Sequence, residues 1–333
     1  MSAASTPAAA STGAVDRRPP ELERLDFKLL DCLEVNVAAL LELRGAPDLR
    51  APFACEWHFD VEPGQLSPVL ERTPLASRLA ATTAFTLEVR QSTPARVLAD
   101  CLPLVRSGQR VLVRGDAMSM DWLPYFGRES MDHSLVLESV DPDGRRLQVL
   151  DAYDNVTEWG EASPVRLQVD ASLVERAVGS LGTPFAGWWA TLEPKPTAPR
   201  FDAFQVLRAN AEAMASHAGR IARFRDTAFE ARGDGEAMKR FSLACWLVHR
   251  ARTLHGLWLG DLAAGGWTEG TSFARSFQDE VAGRWKRVNE LAYLVYRRAR
   301  LGKPAPQVVF DVLGELEAVE RDHAQRLGAA LPR

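Results

Sequence analysis

A chain of 333 residues is long enough to form two domains with substantial hydrophobic cores. Hydrophobic residues make up 46% of the sequence and charged residues 25%, as in globular proteins, and no apolar run approaches the roughly 18 residues of a membrane span. The four cysteines are widely spaced, which excludes a clustered zinc or disulfide pattern and favours a reducing, cytoplasmic setting.

Charge is distributed unevenly along the chain. The residues before Arg200 include 19 basic and 28 acidic side chains, whereas the remainder includes 21 basic and 16 acidic ones. This shift indicates two modules with different surfaces. The basic excess of the second module is small and its sequence has no nucleic-acid-binding motif, so we expect no nucleic-acid partner.

Composition also predicts the domain boundaries. Residues 1–22 are rich in Ala, Ser, Thr and Pro and lack the apolar run of a signal peptide, which predicts a disordered tail. The segment "PKPTAPR" (194–200) is a proline-rich linker. We therefore predict an α+β domain over 23–195 and an all-helical domain over 200–333.

The first domain mixes helix and strand patterns without regular alternation, which favours an α+β fold over a β-α-β array. "DCLEVNVAALLELRG" (31–45) predicts a helix because its leucines and valines recur at the helical period, and Gly45 stands at its C-terminal cap. The other predicted elements are strands at 83–90, 110–116 and 165–170, helices at 92–108 and 171–178, and a hairpin of strands 134–140 and 146–150 around a turn at 141–144.

After the linker the pattern becomes helical. Helices are predicted near 201–230, 235–260, 271–301 and 305–328. In the third of these, apolar residues recur at spacings of three and four. The stripe consists of Phe273, Phe277, Val281, Trp285, Val288, Leu291 and Val295.

Cys32 is the candidate nucleophile. It falls at or near the first turn of a helix, where unpaired backbone N–H groups and the helix dipole stabilise a thiolate and can donate to an oxyanion. His133 opens the hairpin and Asp151 closes it, so the hairpin can bring them to the same end of adjacent strands. Taken singly, each residue also fits a structural role. The order of a helix cysteine, a strand histidine and an acid on the next strand favours a papain-type site, in which Asp151 orients His133 and His133 acts as the base.

The segment "RVLVRGDAMSMDWLPYFGRESMDHSLVLESVDPDGRRLQVLDAY" (110–153) resembles the core of the butirosin biosynthesis protein H family. In that pattern a hydrophobic strand ends in an aspartate, here Asp116, and Leu123-Pro124-Tyr125 and a hairpin that begins with histidine follow. The resemblance covers about 23–193. It implies a papain-like fold related to C39 peptidases, a helical C-terminal domain, and acyl transfer from a carrier-protein thioester to an amine. The chain departs from the pattern at Glu138-Ser139-Val140, where the family often has a glycine and an aromatic residue.

These patterns predict a cysteine acyltransferase of specialised-metabolite or antibiotic biosynthesis. Cys32 would accept an acyl or aminoacyl group from the phosphopantetheine arm of a carrier protein and pass it to a small-molecule amine, without a metal or other cofactor. A small partner subunit is conceivable, and an exposed basic cluster that includes Arg297 and Arg298 would suit an acidic carrier. The candidate substrate-binding residues are Asp31, Glu34, Asp116, Trp122 and Tyr125.

Three alternatives stay open at this stage. An enzyme of the same fold could act on a carrier-bound amino acid without an acyl-enzyme, by cyclisation or elimination, with Asp31, Glu34 or Asp116 moving protons. The chain could instead be a cysteine peptidase. It could also be a binding partner that has kept the fold and lost catalysis, for which the departure at 138–140 is the main support.

Overall fold

A computed structural model describes residues 16–17, 19, 22, 24, 26–182, 184–197, 200–216 and 219–331. They form two compact units. The first contains the described residues of Met1–Leu49 and Ala84–Ala198, and the second those of Arg50–Thr83 and Pro199–Arg333. None of the helices in these ranges is both long and apolar enough to traverse a lipid bilayer.

Residues 50–83 belong to the helical unit, whereas the sequence analysis placed them in the α+β domain. The reason is aromatic burial. Trp57 and Phe59 are at most 1% exposed, and the Trp57 ring meets Phe277 edge-on with centroids 5.0 Å apart. Phe277 lies more than 200 positions further along the chain, so this burial could not be seen in the local pattern.

The first unit is built on an antiparallel sheet of seven strands in the order β1-β8-β5-β4-β3-β9-β2. A separate hairpin pairs β6 with β7. The strands are β1 Asp16–Arg17, β2 Phe85–Gln91, β3 Val111–Asp116, β4 Asp132–Val140, β5 Arg146–Asp151, β6 Asn155–Thr157, β7 Gly160–Ala162, β8 Val165–Asp170 and β9 Trp188–Pro194.

Two of the helices, Ala51–Ala54 and Leu75–Thr82, were not predicted, and the others follow the predicted pattern with local differences. The helices of both units are α1 Cys32–Leu43, α2 Ala51–Ala54, α3 Leu75–Thr82, α4 Val97–Arg106, α5 Ala171–Ser180, α6 Ala203–Ser216, α7 Arg220–Glu230, α8 Gly235–Ala264, α9 Gly270–Ser276, α10 Gly283–Ala299 and α11 Val308–Ala330. In the first unit α1 packs against β4 and β9, and α4 and α5 pack against β3. The mixed α+β character and the helical C-terminal region are therefore both present.

Part of the predicted disordered tail is ordered. Asp16 and Arg17 pair with Arg166 and Val165 of β8 in an antiparallel register. Leu22 is fully buried. Most of the other residues of the predicted tail lie outside the described ranges.

Two predicted helices of the second unit are divided. The stretch predicted at 201–230 forms α6 and α7, and α7 begins after Gly219, whose φ of +83° suits glycine. The stretch predicted at 271–301 contains a π-helical segment, Phe277–Ala282, between α9 and α10. The wider π turn keeps residues four apart on one face. Every member of the predicted apolar stripe is buried, which confirms that prediction.

A buried ion pair lies in the core of the helical unit. Arg252 and Glu320 are each 1% exposed, and Arg252 Nε donates to Glu320 Oε1 over 2.8 Å. The indole N–H groups of Trp285 and Trp57 donate to the same carboxylate, at 2.7 and 3.3 Å. Both charges are thereby hydrogen-bonded, which a buried pair requires.

Candidate active site

The N-terminus of α1 positions Cys32. Asp31 is the N-cap, and its Oδ1 accepts hydrogen bonds of 2.8 Å from the backbone N–H groups of Leu33 and Glu34. Glu34 completes a capping box because its Oε2 accepts from the Asp31 N–H at 3.2 Å. Gly45, with φ of +70°, ends the helix as predicted, and its N–H donates to Glu42 O. Cys32 is therefore the first residue of a helix that is capped at both ends.

The capping box leaves one backbone donor beside the thiol. The N–H groups of Leu33, Glu34 and Val35 all bond to Asp31. In the described part of the chain, the Cys32 N–H has no acceptor, and the Cys32 side chain is half-buried. This donor at the positive end of the helix dipole can stabilise an oxyanion that forms next to Sγ.

His133 and Asp151 meet at one end of the β4–β5 hairpin. The turn at 141–144 closes with Gly144 at φ of +72°, and β4 and β5 are antiparallel with Val136 opposite Leu150. His133 Nε2 lies 2.8 Å from Asp151 Oδ2, and each residue is 1% exposed. The geometry predicted from the hairpin is therefore present.

The Cys32 side chain also interacts with His133 and raises the pKa of the imidazole. Because Nε2 faces Asp151, Nδ1 is the nitrogen that is left for the thiol. Cys32 Sγ additionally lies 3.9 Å from the backbone oxygen of Asp132. The three predicted residues thus lie next to one another as a Cys32–His133–Asp151 series, in which His133 and Asp151 are hydrogen-bonded.

The surroundings favour a charged histidine–aspartate pair. Burial alone lowers the pKa of His133, but the charge of Asp151 and the hydrogen bonds with Asp151 and Cys32 outweigh it and raise that pKa to about 10. Burial raises the pKa of Asp151, but the His133 charge and the hydrogen bonds from His133, Trp122 and the Tyr153 backbone hold it below its usual range. An imidazolium at this place can stabilise a thiolate and later donate a proton.

Trp122 and Tyr153 fix the carboxylate of Asp151. The indole N–H of Trp122 donates to Oδ2 over 2.8 Å, and the Tyr153 N–H donates to Oδ1 over 3.1 Å. The Tyr153 ring meets His133 edge-on, with centroids 5.2 Å apart. Trp122, which was predicted to bind substrate, also orients the acid through this hydrogen bond.

Tyr125 lies beside this group. It is 6% exposed, its hydroxyl is 3.5 Å from that of Tyr153, and its ring contacts Trp159. Burial raises the pKa of Tyr125, with a smaller contribution from the nearby Cys32. The residue therefore stays neutral and forms part of the wall near the thiol.

Asp116, a predicted substrate-binding residue, is buried and bonded within its own loop. It is 2% exposed, and its Oδ1 accepts from the N–H groups of Met118 and Met131 at 3.0 and 3.2 Å. Its Oδ2 accepts from the Ser130 hydroxyl at 2.9 Å. Asp116 thus holds both ends of the loop from β3 to His133. Asp31 and Glu34 bond to each other's backbone N–H groups in the capping box, and Asp116 bonds within its loop, so these three residues give little support to a mechanism in which they move protons.

Asn36 and Ser134 were not predicted to belong to the site. Asn36 Nδ2 donates to the backbone oxygens of Cys32 and Ser134, and Ala152 N–H donates to Asn36 Oδ1. The Ser134 hydroxyl donates to Cys32 O over 2.6 Å. A polar residue among the apolar positions of α1 was the signal for Asn36.

The other three cysteines are poor nucleophiles. Burial raises the pKa values of Cys55 and Cys101 to about 12 and also raises that of Cys245. A thiol with such a pKa contains almost no thiolate at neutral pH. Among the described residues no three His, Cys, Asp or Glu side chains are grouped to hold a metal ion.

The departure from the family pattern at 138–140 lies away from the site. Glu138 accepts hydrogen bonds from Arg110 and Arg166, at 3.1 and 2.6 Å, where β4 shifts its register against β5. Five residues of strand separate it from His133, which is about 17 Å. The substitution therefore alters the sheet and not the neighbourhood of Cys32.

Comparison with known proteins gives no independent identification. No protein-family model matches the chain, and no curated protein is significantly similar to it in sequence.

Proposed function

We propose that this chain is a papain-like cysteine acyltransferase that moves an acyl or aminoacyl group from a carrier-protein thioester to a small-molecule amine. The proposal is carried by the Cys32–His133–Asp151 series at the N-terminus of α1, in which His133 is hydrogen-bonded to Asp151 and interacts with Cys32. The resemblance of residues 110–155 to the butirosin biosynthesis protein H family favours acyl transfer over peptide hydrolysis. The pantetheine arm of the carrier enters as part of the substrate.

In the first step the Cys32 thiolate attacks the thioester carbonyl carbon. The oxyanion that forms accepts from the free Cys32 N–H at the start of α1. When the intermediate collapses, the bond from carbon to the carrier sulfur breaks, and the departing sulfur takes the proton of the His133 imidazolium. The products are an acyl-enzyme and the free carrier thiol.

In the second step the acceptor amine attacks the acyl-enzyme. Neutral His133 accepts the proton of the attacking nitrogen, and the bond between carbon and Cys32 Sγ breaks to release the amide. The thiolate–imidazolium pair is thereby restored. Asp151, held by Trp122 and the Tyr153 N–H, keeps the His133 ring oriented through both steps.

The exposed face of α10 is our candidate for carrier binding. Arg297 and Arg298 are exposed there, and the neighbouring Tyr293 and Leu294 are 45% and 51% exposed. A basic surface with apolar side chains suits an acidic carrier protein. Binding that weakens with salt and is lost in Arg297→Glu/Arg298→Glu would support this site, and unchanged binding would contradict it.

Intact-protein mass spectrometry tests the covalent step. The protein is mixed with a panel of acyl- and aminoacyl-loaded carrier proteins and with the matching N-acetylcysteamine thioesters. We expect a mass gain equal to the acyl group in the wild type and in Cys101→Ala, whose thiol is buried, and none in Cys32→Ala. Product formation that persists in Cys32→Ala would refute the acyl-enzyme. Cysteine-dependent cleavage of a peptide, without transfer to any amine, would favour the peptidase.

A further inference from the structure

Asn36 is a fully buried polar residue in α1, one turn after Cys32. Its Nδ2 donates to Cys32 O at 2.9 Å and to Ser134 O at 2.8 Å. The N–H of Ala152 donates to its Oδ1 over 3.0 Å. One side chain therefore bonds to three separate parts of the backbone.

Each of these contacts falls on a member of the Cys32–His133–Asp151 series or on its neighbour in sequence. Cys32 O belongs to the nucleophile, Ser134 directly follows His133, and Ala152 directly follows Asp151. Asn36 thus joins the helix that positions the thiol to both strands that position the base and the acid.

The chemistry of the three contacts requires an amide. Two backbone oxygens face Nδ2 and one backbone N–H faces Oδ1, so both amide hydrogens and the amide oxygen are used. An aspartate of the same size would point an oxygen at two carbonyl oxygens. An apolar residue would remove the bonds to buried backbone groups, which is costly.

The sheet alone does not set the position of the thiol. Pairing of β4 with β5 fixes His133 relative to Asp151, but α1 lies outside the sheet and packs against β4 and β9 without strand pairing. The Ser134 hydroxyl, which bonds to Cys32 O, ties α1 to β4 alone. Asn36 additionally ties α1 to the end of β5. A displacement of about 1 Å in such a site can cost about 100-fold in rate.

We infer that Asn36 is a positioning residue that holds the Cys32 thiol in register with His133 and Asp151. This inference rests on the proposed role of those three residues, and Asn36 itself touches no substrate.

The pH dependence of Cys32 alkylation tests this role without any acyl substrate. The folded protein is treated with iodoacetamide from pH 5 to pH 10, and modification of Cys32 is followed by peptide mass spectrometry. In Asn36→Ala we expect the alkylation rate of Cys32 at pH 6 to fall by at least about tenfold, since a displaced His133 imidazolium stabilises less thiolate. Asn36→Asp should show the same or a larger change.

Val37→Ala is the matched control. Val37 is the next residue of α1, is fully buried and has no polar atom, so its truncation loosens the helix without removing a hydrogen bond. We expect Val37→Ala to keep the wild-type profile. If Asn36→Ala does not fold, Asn36→Ser replaces it, because a serine side chain is too short to reach all three backbone groups.

The outcomes separate this inference from the proposed function. A wild-type profile in Asn36→Ala, or an equal shift in Val37→Ala, overturns the positioning role even if the acyl adduct forms. A shift confined to the Asn36 variants supports it, even if no carrier thioester acylates the wild type.

Discussion

Trp122→Phe should lower the free energy of unfolding of the protein by an amount that depends on the pH. The substitution removes the 2.8 Å hydrogen bond from the indole N–H to Asp151 Oδ2 and keeps an aromatic ring in place. Asp151 is 1% exposed, so water does not replace the lost donor. A hydrogen bond to a buried charged group contributes about 1.5–3 kcal/mol. Loss of this donor should also raise the pKa of Asp151, because the Trp122 hydrogen bond stabilises the charged carboxylate.

The direction of the pH effect follows from the two pKa shifts. The depressed pKa of Asp151 stabilises the fold above the unfolded-state value of about 3.9, and this contribution is lost as the pH falls through the lower folded value. The raised pKa of His133 stabilises the fold below about pH 6.5, and this contribution is lost as the pH rises through about 10. Both contributions are therefore present at pH 6, where we expect the full cost of Trp122→Phe.

Urea unfolding at pH 6 and at pH 3 measures this cost. Trp159→Phe is the matched control, because its indole N–H has no acceptor among the described residues and its ring packs on Tyr125 of the same unit. We expect Trp122→Phe to lose about 1.5–3 kcal/mol more than the control at pH 6. The difference should shrink toward pH 3, because the Asp151 carboxyl of Trp122→Phe, which has the higher pKa, takes up a proton before that of the wild type. An equal difference at both pH values would refute the reasoning.

Three further substitutions test the interiors of the two units. Gly115→Ala should destabilise the first unit by about 1–3 kcal/mol, because its Cβ would stand 3.1 Å from the Ala177 carbonyl carbon of α5. Gly179→Ala, whose Cβ would have no atom within 4 Å, should instead stabilise α5 by up to about 1 kcal/mol. Denaturant midpoints that place the two variants in the reverse order would contradict this packing. Glu320→Gln should destabilise the helical unit by about 3–5 kcal/mol because it leaves the buried Arg252 charge uncompensated. A loss of unfolding free energy below about 1 kcal/mol, measured by calorimetry, would contradict a charged pair.

Much of the site was visible in the sequence because local rules determine it. The apolar period, an aspartate before it and a glycine after it set the bounds of α1, which placed Cys32 at a helix N-terminus. The polar turn at 141–144 fixed the hairpin and with it the pairing of His133 with Asp151. In both cases the interacting residues are close together in sequence.

Other residues of the site depend on contacts that no local pattern encodes. The sequence around Trp122 indicates a residue of an apolar wall. Only the folded loop between β3 and β4 directs the indole N–H of Trp122 toward Asp151. Asp116 likewise became a loop anchor because both ends of that loop present donors to it. The local sequence specified the residue types of the loop but not the direction of their polar groups.

The sequence by itself therefore determined which elements form and which residue types stand at their ends, since caps, turns and periodicity act over a few residues. The tertiary structure decided which elements meet. It ordered the strands with β4 between β3 and β5, placed residues 50–83 among the aromatic side chains of the helical unit, and brought Asn36 against backbone groups about 100 residues away. These contacts are selected by burial and hydrogen bonding of the whole chain, because a buried polar group must find its partner wherever the fold presents one.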